Sequence, residues 1–187
     1  MEIQAGNIGL ANYTGKNFLS SAIRFFTHVK GVPDYTHGYI GLGPVRNFPS
    51  IIEASYDIST QAWRKFISDK GESCEVYELQ GINPMVLNTA LDNLYYDKAE
   101  TIYGFLAILW WVWAWFLRLF GIELSGKHNP LPYGIFCTKL VWQFLASLND
   151  TEIWEHLQKW GSDNFAPVNL KQLIMELPHR FKRIDNV

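Results

Sequence analysis

The stretch GIFCTKLVWQFLASL, residues 134–148, places one of only two cysteines directly before an apolar run. The preceding NPLPYGIF contains too much proline and glycine for a helix, so we expect a helix to begin at or just before Cys137. Spacings of three and four positions are typical of one buried face of an α-helix. The residues with this spacing after the cysteine are Leu140, Val141, Phe144, Leu145 and Leu148.

Cys137 itself has two interpretations. Cysteine is among the most buried residue types, so Cys137 could simply be the first core residue of this helix. At a helix N-terminus, however, the unpaired N–H groups and the helix dipole favour a thiolate and lower the thiol pKa. Cys137 alone does not decide between a core thiol and a nucleophile, so the decision depends on partners elsewhere in the chain.

A candidate partner lies in YTHGYIGLG, residues 35–43, which alternates as a β-strand does. The alternation places His37 and Tyr39 on one face and Gly38 and Ile40 on the other. An isolated histidine in such a strand is usually only a polar residue on its solvent side. A catalytic interpretation of His37 therefore requires an acid and a nucleophile nearby.

The next strand-like stretch, SIIEASYDI at residues 50–58, carries Glu53 inside an apolar run. A buried carboxylate is unfavourable unless it has a partner. We expect the two stretches to form a hairpin whose longer loop contains Pro44 and Pro49. If the numbers of paired residues sum to an even total near 90–92, Glu53 shares a face with His37, whereas an odd total separates them.

The remaining patterns indicate an α+β fold. Strands lie mostly early in the chain and helices late, which is typical of this class. At 187 residues, the chain is long enough for one domain, which we expect to span residues 1–187. The patterns predict strands over 7–13 and 74–80, and helices over 15–31, from Asn83-Pro84 onward, over 151–160, and over 169–177 with Asn169 as its cap.

The segment 103–122 is unusually rich in tryptophan. Its uncharged run, residues 105–117, is thirteen residues long, whereas a membrane-spanning helix needs about 20. A helix that is apolar on all sides is typical of a protein interior, so we expect a buried helix. Tryptophan also favours membrane–water interfaces, which keeps lipid or partner contact open. The tryptophans are Trp110, Trp111, Trp113 and Trp115.

Composition excludes several function classes. The net charge is −2 and no basic cluster is present, so we do not expect nucleic-acid binding. The cysteines form no disulfide framework and His28, His156 and His179 show no ligand spacing, so we expect no metal and no cofactor. The N-terminal MEIQAGNIGLANY lacks the regions of a secretory signal, which indicates a cytoplasmic or membrane-peripheral protein.

The order of the motifs along the chain resembles that of a known family. GNIGLANY, SSAIRFFT, THGYIGLG, IIEAS, IYGF and FCTKLVWQFL follow one another between residues 6 and about 148. They resemble the motifs of the circularly permuted papain-like hydrolases of the NlpC type, the YiiX/YaeF-like branch. In that family a hairpin carrying a histidine and an acid precedes the nucleophile helix. Each motif is short, so their order and spacing carry the specificity.

The resemblance implies a papain-like α+β fold with a small antiparallel sheet packed against helices. It also implies a thiol hydrolase that forms an acyl-enzyme. By matched position, Cys137 would be the nucleophile, His37 the general base and Glu53 the group that orients His37. The candidate substrate-binding residues are Tyr103, Tyr39 and Trp110.

Three departures from the family motifs leave the substrate open. Asn7, Gly104 and Lys139 stand where the family prefers acidic residues. The substrate is then an amide in a peptide, such as a cell-wall peptide, or an acyl ester or lipid, which the apolar segment 103–122 favours slightly. A different class also stays open: a non-catalytic module that binds a membrane or a partner through this segment.

Overall fold

A computed structural model describes residues 3–12, 18–54, 58–70, 73–96, 112–113, 116–117, 119–122 and 137–184. The strands are β1 (Ile8–Asn12), β2 (His37–Val45), β3 (Phe48–Ala54), β4 (Ile58–Ala62), β5 (Ser73–Leu79) and β6 (Phe181–Arg183). The helices are α1 (Phe18–Thr27), α2 (Trp63–Lys70), α3 (Pro84–Tyr96), α4 (Cys137–Ser147), α5 (Thr151–Leu157) and α6 (Pro167–Glu176). This content confirms the α+β class.

The six described strands form one sheet in the order β4-β3-β2-β1-β5-β6, with every pairing antiparallel. Since β2 lies inside the sheet and both faces of the sheet are covered, neither face of β2 opens to solvent near its start. His37 is therefore only 4% exposed, and the interpretation of this residue as a solvent-side histidine is wrong.

Alternation along the strands divides the core between the two faces of the sheet. One face packs against α4 and carries Ile8, Leu10, Ile40 and Ile52, all fully buried. The opposite face carries an aromatic cluster, which we define as Tyr39, Trp63 and Phe66. The last two residues come from the first turn of α2, which directly follows β4.

The β2–β3 hairpin closes through a tight turn, so the prediction of a longer loop is wrong. Arg46 and Asn47 connect the strands, and both have positive φ angles, 50° and 68°. This is the geometry of a type I′ turn, whose twist matches that of the strands it joins. Pro44 and Pro49 pair with each other inside β2 and β3. β1 and β4 pair with other residues of these two strands, so the missing N–H of each proline removes no hydrogen bond to β1 or β4.

A β-bulge in β2 decides which side chains share a face. Beside the turn, the numbers of paired residues sum to 93, as in Gly43↔Ser50. From Gly41↔Ile51 onward they sum to 92, because Leu42 is an extra residue on β2. The even total is the register that the pairing of histidine and glutamate requires, and the structure confirms it at this end of the hairpin.

Several other boundaries follow the sequence patterns. α3 begins at Pro84, and the Asn83 side chain accepts a hydrogen bond from the N–H of Met85 at 2.8 Å. Cys137 is the first described residue of α4, and residues 131–136, on which the predicted start also depends, lie outside the described residues. The patterns predict neither β4 nor β6. Asn169 does not cap α6: it lies in the first turn and accepts from the N–H of Ala166.

The described part of the Trp-rich segment is exposed rather than buried. Five large apolar side chains between residues 113 and 122 are 43–68% exposed, so the expectation of a buried helix is wrong for them. Their rings contact one another, Trp113 with Phe116 and Phe116 with Phe120. Among the described helices, none combines the length and hydrophobicity needed to cross a bilayer. The five side chains belong to Trp113, Phe116, Leu119, Phe120 and Ile122.

Candidate active site

The start of α4 lies close to the start of β2 because a glycine separates them. An ideal Cβ on Gly38 would lie 3.0 Å from Cγ2 of Thr138 and 3.4 Å from side-chain atoms of Val141 and Leu170. Any larger residue would push the helix away from the strand. Gly38 therefore allows the first turn of α4, with Cys137, to pack directly on the strand that carries His37.

His37 lies between a carboxylate and a thiol. Its Nε2 is 2.5 Å from Oε2 of Glu53, and the two side chains are 5% and 4% exposed. His37 also hydrogen-bonds the sulfur of Cys137. Since Nε2 contacts the carboxylate, Nδ1 is the ring nitrogen left for the sulfur. The imidazole thus connects the acid to the thiol.

Glu53 has a second partner on the neighbouring strand. Continued by one residue from Ile40↔Ile52, the register places Glu53 opposite Tyr39 and diagonal to His37 on the same face. The amide nitrogen of Gln61, on β4, donates to the other oxygen of this carboxylate. The two carboxylate oxygens therefore contact different side chains.

The surroundings of His37 favour its protonated form. Burial opposes protonation, but the charge of the Cys137 thiolate, the hydrogen bond to it and the contact with Glu53 raise the pKa of His37 to about 9. The ring also lies 6.2 Å from the ring of Phe66, in the aromatic cluster. A histidine with such a pKa is an imidazolium at neutral pH.

The surroundings of Cys137 favour its thiolate. Burial opposes ionisation, but the His37 imidazolium lowers the pKa of the thiol through its charge and its hydrogen bond. The backbone N–H groups of Gly38 and Thr138 also donate to the sulfur and lower this pKa further. The result is a buried thiolate–imidazolium pair, the reactive form of a cysteine nucleophile.

Two contacts fix the first turn of α4 to the C-terminal part of the chain. The hydroxyl of Thr138 donates to the carbonyl oxygen of Phe165. Nζ of Lys139 lies 2.7 Å from Oδ1 of Asp163, in the 3₁₀ turn Ser162–Asn164. Lys139, which departs from the family motif, thus has an anionic partner of its own and packs the helix against this turn.

The other residues singled out in the sequence lie outside this constellation or outside the described residues. Tyr39 is fully buried in the aromatic cluster, and its ring lies against Gly9, so it has no surface for a substrate and the predicted substrate-binding role is not supported. Tyr103 and Trp110 lie outside the described residues. Cys74 is a free thiol whose pKa is raised, first of all by burial, which fits the prediction that it is inert.

The sequence patterns indicate neither Gln61 nor the role of Gly38. Gln61 follows a stretch whose alternation is too short to identify β4, so no pattern indicated that it faces Glu53. Gly38 was open to recognition, because a glycine inside an otherwise regular strand often marks the close approach of another segment. It lies next to His37 in the sequence, which makes this signal specific.

The fold and the site together define an α+β protein with a buried Cys–His–Glu constellation. Among solved structures, the chain is similar to the crystal structure of metalloprotein YiiX from Escherichia coli O157:H7, a DUF1105 protein. The TM-score is 0.54 at 16% sequence identity, and the similarity covers 100% of this chain and 99% of that one. The fold is therefore YiiX-like. No protein-family model and no curated protein sequence matches the chain.

YiiX is described as a metalloprotein, which raises the question of whether this chain has a metal site. Among the described residues of this chain, no group of three or more histidine, cysteine, aspartate or glutamate side chains is arranged to hold a metal ion. Cys137 and Glu53 contact opposite sides of the His37 ring, so the three side chains do not converge on one point. The described residues therefore do not fit a metal site.

Proposed function

We propose that this protein is a thiol hydrolase of the papain-like NlpC type. Cys137 is the nucleophile, His37 the general acid and base, and Glu53 the residue that orients His37. The observation that carries the proposal is the joint burial of Cys137, His37 and Glu53, with Nε2 of His37 2.5 Å from Glu53 and with the charge of His37 lowering the pKa of the Cys137 thiol. The order of the sequence motifs supports the same assignment.

The first half-reaction forms an acyl-enzyme. The Cys137 thiolate attacks the carbonyl carbon of the substrate, and the carbonyl oxygen becomes an oxyanion, to which the backbone N–H of Cys137 donates. The bond to the leaving group then breaks, and the leaving amine or alcohol takes the proton of the His37 imidazolium. The products are a thioester on Cys137 and a neutral histidine.

The second half-reaction restores the starting state. Neutral His37 takes a proton from water as the water oxygen attacks the thioester carbonyl. The C–S bond breaks, the acyl group leaves as a carboxylic acid, and the thiolate–imidazolium pair is regenerated. An alcohol or amine in place of water would make the same chemistry an acyl transfer.

The substrate class is an amide in a peptide, such as a cell-wall peptide, or an acyl ester or lipid. The test uses 4-nitrophenyl acetate, 4-nitrophenyl octanoate and alanine 4-nitroanilide, with intact-protein mass spectrometry to detect the acyl adduct. We expect an adduct on Cys137, its loss in Cys137→Ala, and slow formation in His37→Ala. Cys74→Ser is the matched control and should acylate normally. Equal turnover by Cys137→Ala and the unmodified protein would overturn the proposal.

A second candidate function is a non-catalytic module that binds a membrane surface. The specific observation is the run of exposed apolar side chains between Trp113 and Ile122, where aromatic rings contact one another outside the core. Tryptophan-rich apolar segments that are too short to span a bilayer suit its interfacial region. This function is compatible with a hydrolase that acts on lipid, but does not require one.

Liposome flotation distinguishes the two functions. We expect the unmodified protein to float with vesicles, and Trp113→Ser with Phe120→Ser to remain in the dense fraction. Phe48→Ser is the control, because Phe48 is 66% exposed at the β2–β3 turn and belongs to no such run. The binding module would be favoured over the enzyme if flotation persists unchanged in Cys137→Ala and the unmodified protein forms no acyl adduct with any of the three substrates.

A further inference from the structure

Gln61 contacts the catalytic constellation from a strand that the sequence patterns did not predict. It lies on β4, opposite Ile51, and therefore on the same face of the sheet as Glu53, two residues further along β3. Its amide nitrogen donates to Oε1 of Glu53, while Oε2 of the same carboxylate contacts Nε2 of His37. Gln61 is thus joined to the thiol through two intervening side chains.

The surroundings make this contact electrostatically significant. Trp63 and Phe66 follow β4 directly and cover the same face of the sheet, where they are 3% and 0% exposed. Water is therefore scarce around the carboxylate, and a hydrogen bond to a charged group is stronger in such a medium. A donor on Oε1 favours the ionised form of Glu53 and limits the rotation of its carboxylate plane.

We propose that Gln61 is a positioning residue that holds Glu53 ionised and oriented toward His37. The inference rests on the proposed function, since it assigns a further member to the same constellation. The contact of Gln61 with the constellation is made through Glu53, so we infer that it acts on the thiol through this carboxylate. An ionised, oriented Glu53 stabilises the His37 imidazolium, and the imidazolium in turn stabilises the Cys137 thiolate.

The test measures the ionisation of Cys137 directly. The ultraviolet absorbance of the thiolate is measured as a function of pH for each variant. The same variant carrying Cys137→Ser is the reference, and subtracting its titration removes the contributions of the tyrosines and of Cys74. Gln61→Met keeps the length of the side chain and removes the donor. We expect it to move the midpoint of thiolate formation to higher pH. Gln61→Ala also removes the donor and adds no charge, so it should move the midpoint in the same direction.

Two controls separate positioning from packing. Thr60→Ala changes the same strand on the opposite, exposed side and should leave the midpoint unchanged. In a Glu53→Gln background, Gln61→Met should have no further effect, because the residue through which Gln61 acts has lost its charge. Gln61→Ala provides the measurement if Gln61→Met does not fold.

The outcomes are distinguishable. If the unmodified protein shows a depressed midpoint and Gln61→Met shares it, the inference about Gln61 is overturned and the proposed function stands. If Gln61→Met moves the midpoint by the same amount in the unmodified protein and in the Glu53→Gln background, the inference about Gln61 is also overturned. If the unmodified protein forms its thiolate only at the pH of an ordinary thiol, the proposed function and the inference fail together.

Discussion

The carboxylate of Glu53 lies 2.5 Å from Nε2 of His37, although the tight turn between their strands does not by itself bring them onto one face. The register beside the turn, continued unchanged, would place the two side chains on opposite faces of the sheet. The extra residue Leu42 shifts the register by one position. The bulge therefore brings the acid and the histidine together on the side of the aromatic cluster.

The protonation of His37 should depend on Cys137. Removing the thiolate in Cys137→Ala removes the negative charge that does most to raise the pKa of the histidine, so this pKa should fall well below its value of about 9. The measurement is an NMR titration of histidine-labelled protein, with His37→Gln to assign the signal. An unchanged titration in Cys137→Ala would show that the thiol and imidazole are not coupled.

The same pKa predicts the sign of a pH effect on stability. The pKa of His37 in the folded protein, about 9, lies above the ordinary value of 6.5. The stability that this protonation contributes is therefore fully present below pH 6.5 and is lost as the pH rises through about 9. Cys137 acts in the opposite sense, because its lowered pKa contributes stability that is lost as the pH falls.

Between pH 6.5 and about 9, the opposite effects of His37 and Cys137 on the free energy of unfolding should offset each other. The folded pair holds one proton as thiolate and imidazolium, and the unfolded chain also holds one, as thiol and neutral imidazole. We expect the free energy of unfolding of the unmodified protein to show little pH dependence from this pair between pH 6.5 and about 9. Urea unfolding across this range, compared with the double variant Cys137→Ala/His37→Gln, measures the contribution. A steep slope that the double variant abolishes would contradict the pairing.

Gly38→Ala should impair acylation more than folding. Its new Cβ would lie 3.0 Å from Cγ2 of Thr138, so the first turn of α4 must move by a few tenths of an ångström. A misplacement of about 1 Å can slow a reaction by about a hundredfold, so this smaller shift should slow acylation by up to about tenfold. The measurement is the rate of acyl-adduct formation, alongside urea unfolding.

Gly31→Ala provides the opposite control for that experiment. Gly31 has open space around its Cβ position but a φ of +86°, so alanine there strains the backbone by about 1–2 kcal/mol without touching the site. It should lower stability and leave the acylation rate unchanged. Equal rates for Gly38→Ala and Gly31→Ala would mean that the approach of α4 to β2 does not limit the chemistry.

Gly9→Ala should destabilise the fold through Tyr39. The Tyr39 ring lies over Gly9, and a Cβ on Gly9 would come within 1.9 Å of Cζ of this fully buried ring. Overpacking of this kind typically costs about 1–3 kcal/mol. In a Tyr39→Leu background the same change should cost much less, because the ring is absent. Additive effects in urea unfolding would show that the two residues do not clash.

Lys171 and Glu75 should contribute to stability as a pair. Nζ of Lys171 lies 2.6 Å from Oε2 of Glu75 and 2.6 Å from the hydroxyl of Tyr77, and this lysine is only 8% exposed. Lys171→Met should cost about 1–3 kcal/mol, since it removes the buried hydrogen-bond partner of Glu75 and leaves only the more exposed Arg183, whose Nη1 lies 2.9 Å from Oε1 of the carboxylate. Glu75→Gln in addition should recover part of the loss, whereas no recovery would contradict the pairing.

Acid titration checks the same pair. Burial raises the pKa of Glu75, but Lys171, Tyr77 and Tyr35 outweigh it and lower the pKa below 4.5. The stability contributed by its ionised form is therefore present above pH 4.5 and is lost as the pH falls through the lower value in the folded protein. We expect the unmodified protein to lose more stability on acidification than Glu75→Gln, as thermal unfolding would show.

Features of the fold that depend on local interactions could be predicted from the sequence. The apolar spacing after Cys137 predicted the buried face of α4. Alternation identified β1, β2 and β5, and the identities and order of His37, Glu53 and Cys137 identified the candidate constellation. The strands and the buried helix face depend on neighbours within a few residues, whereas the constellation was suggested by the order of the motifs along the chain.

How the strands, the helix and the candidate site residues come together depends on packing between distant segments, which the sequence patterns do not show. The parity of the β2–β3 register depends on the bulge at Leu42, and the distance between α4 and β2 depends on Gly38, in each case through packing between segments distant in the chain. Gln61 reaches Glu53 because β4 pairs with β3, although its own stretch shows no clear strand pattern. The pKa values of Cys137 and His37 depend on the burial and charge that this packing creates.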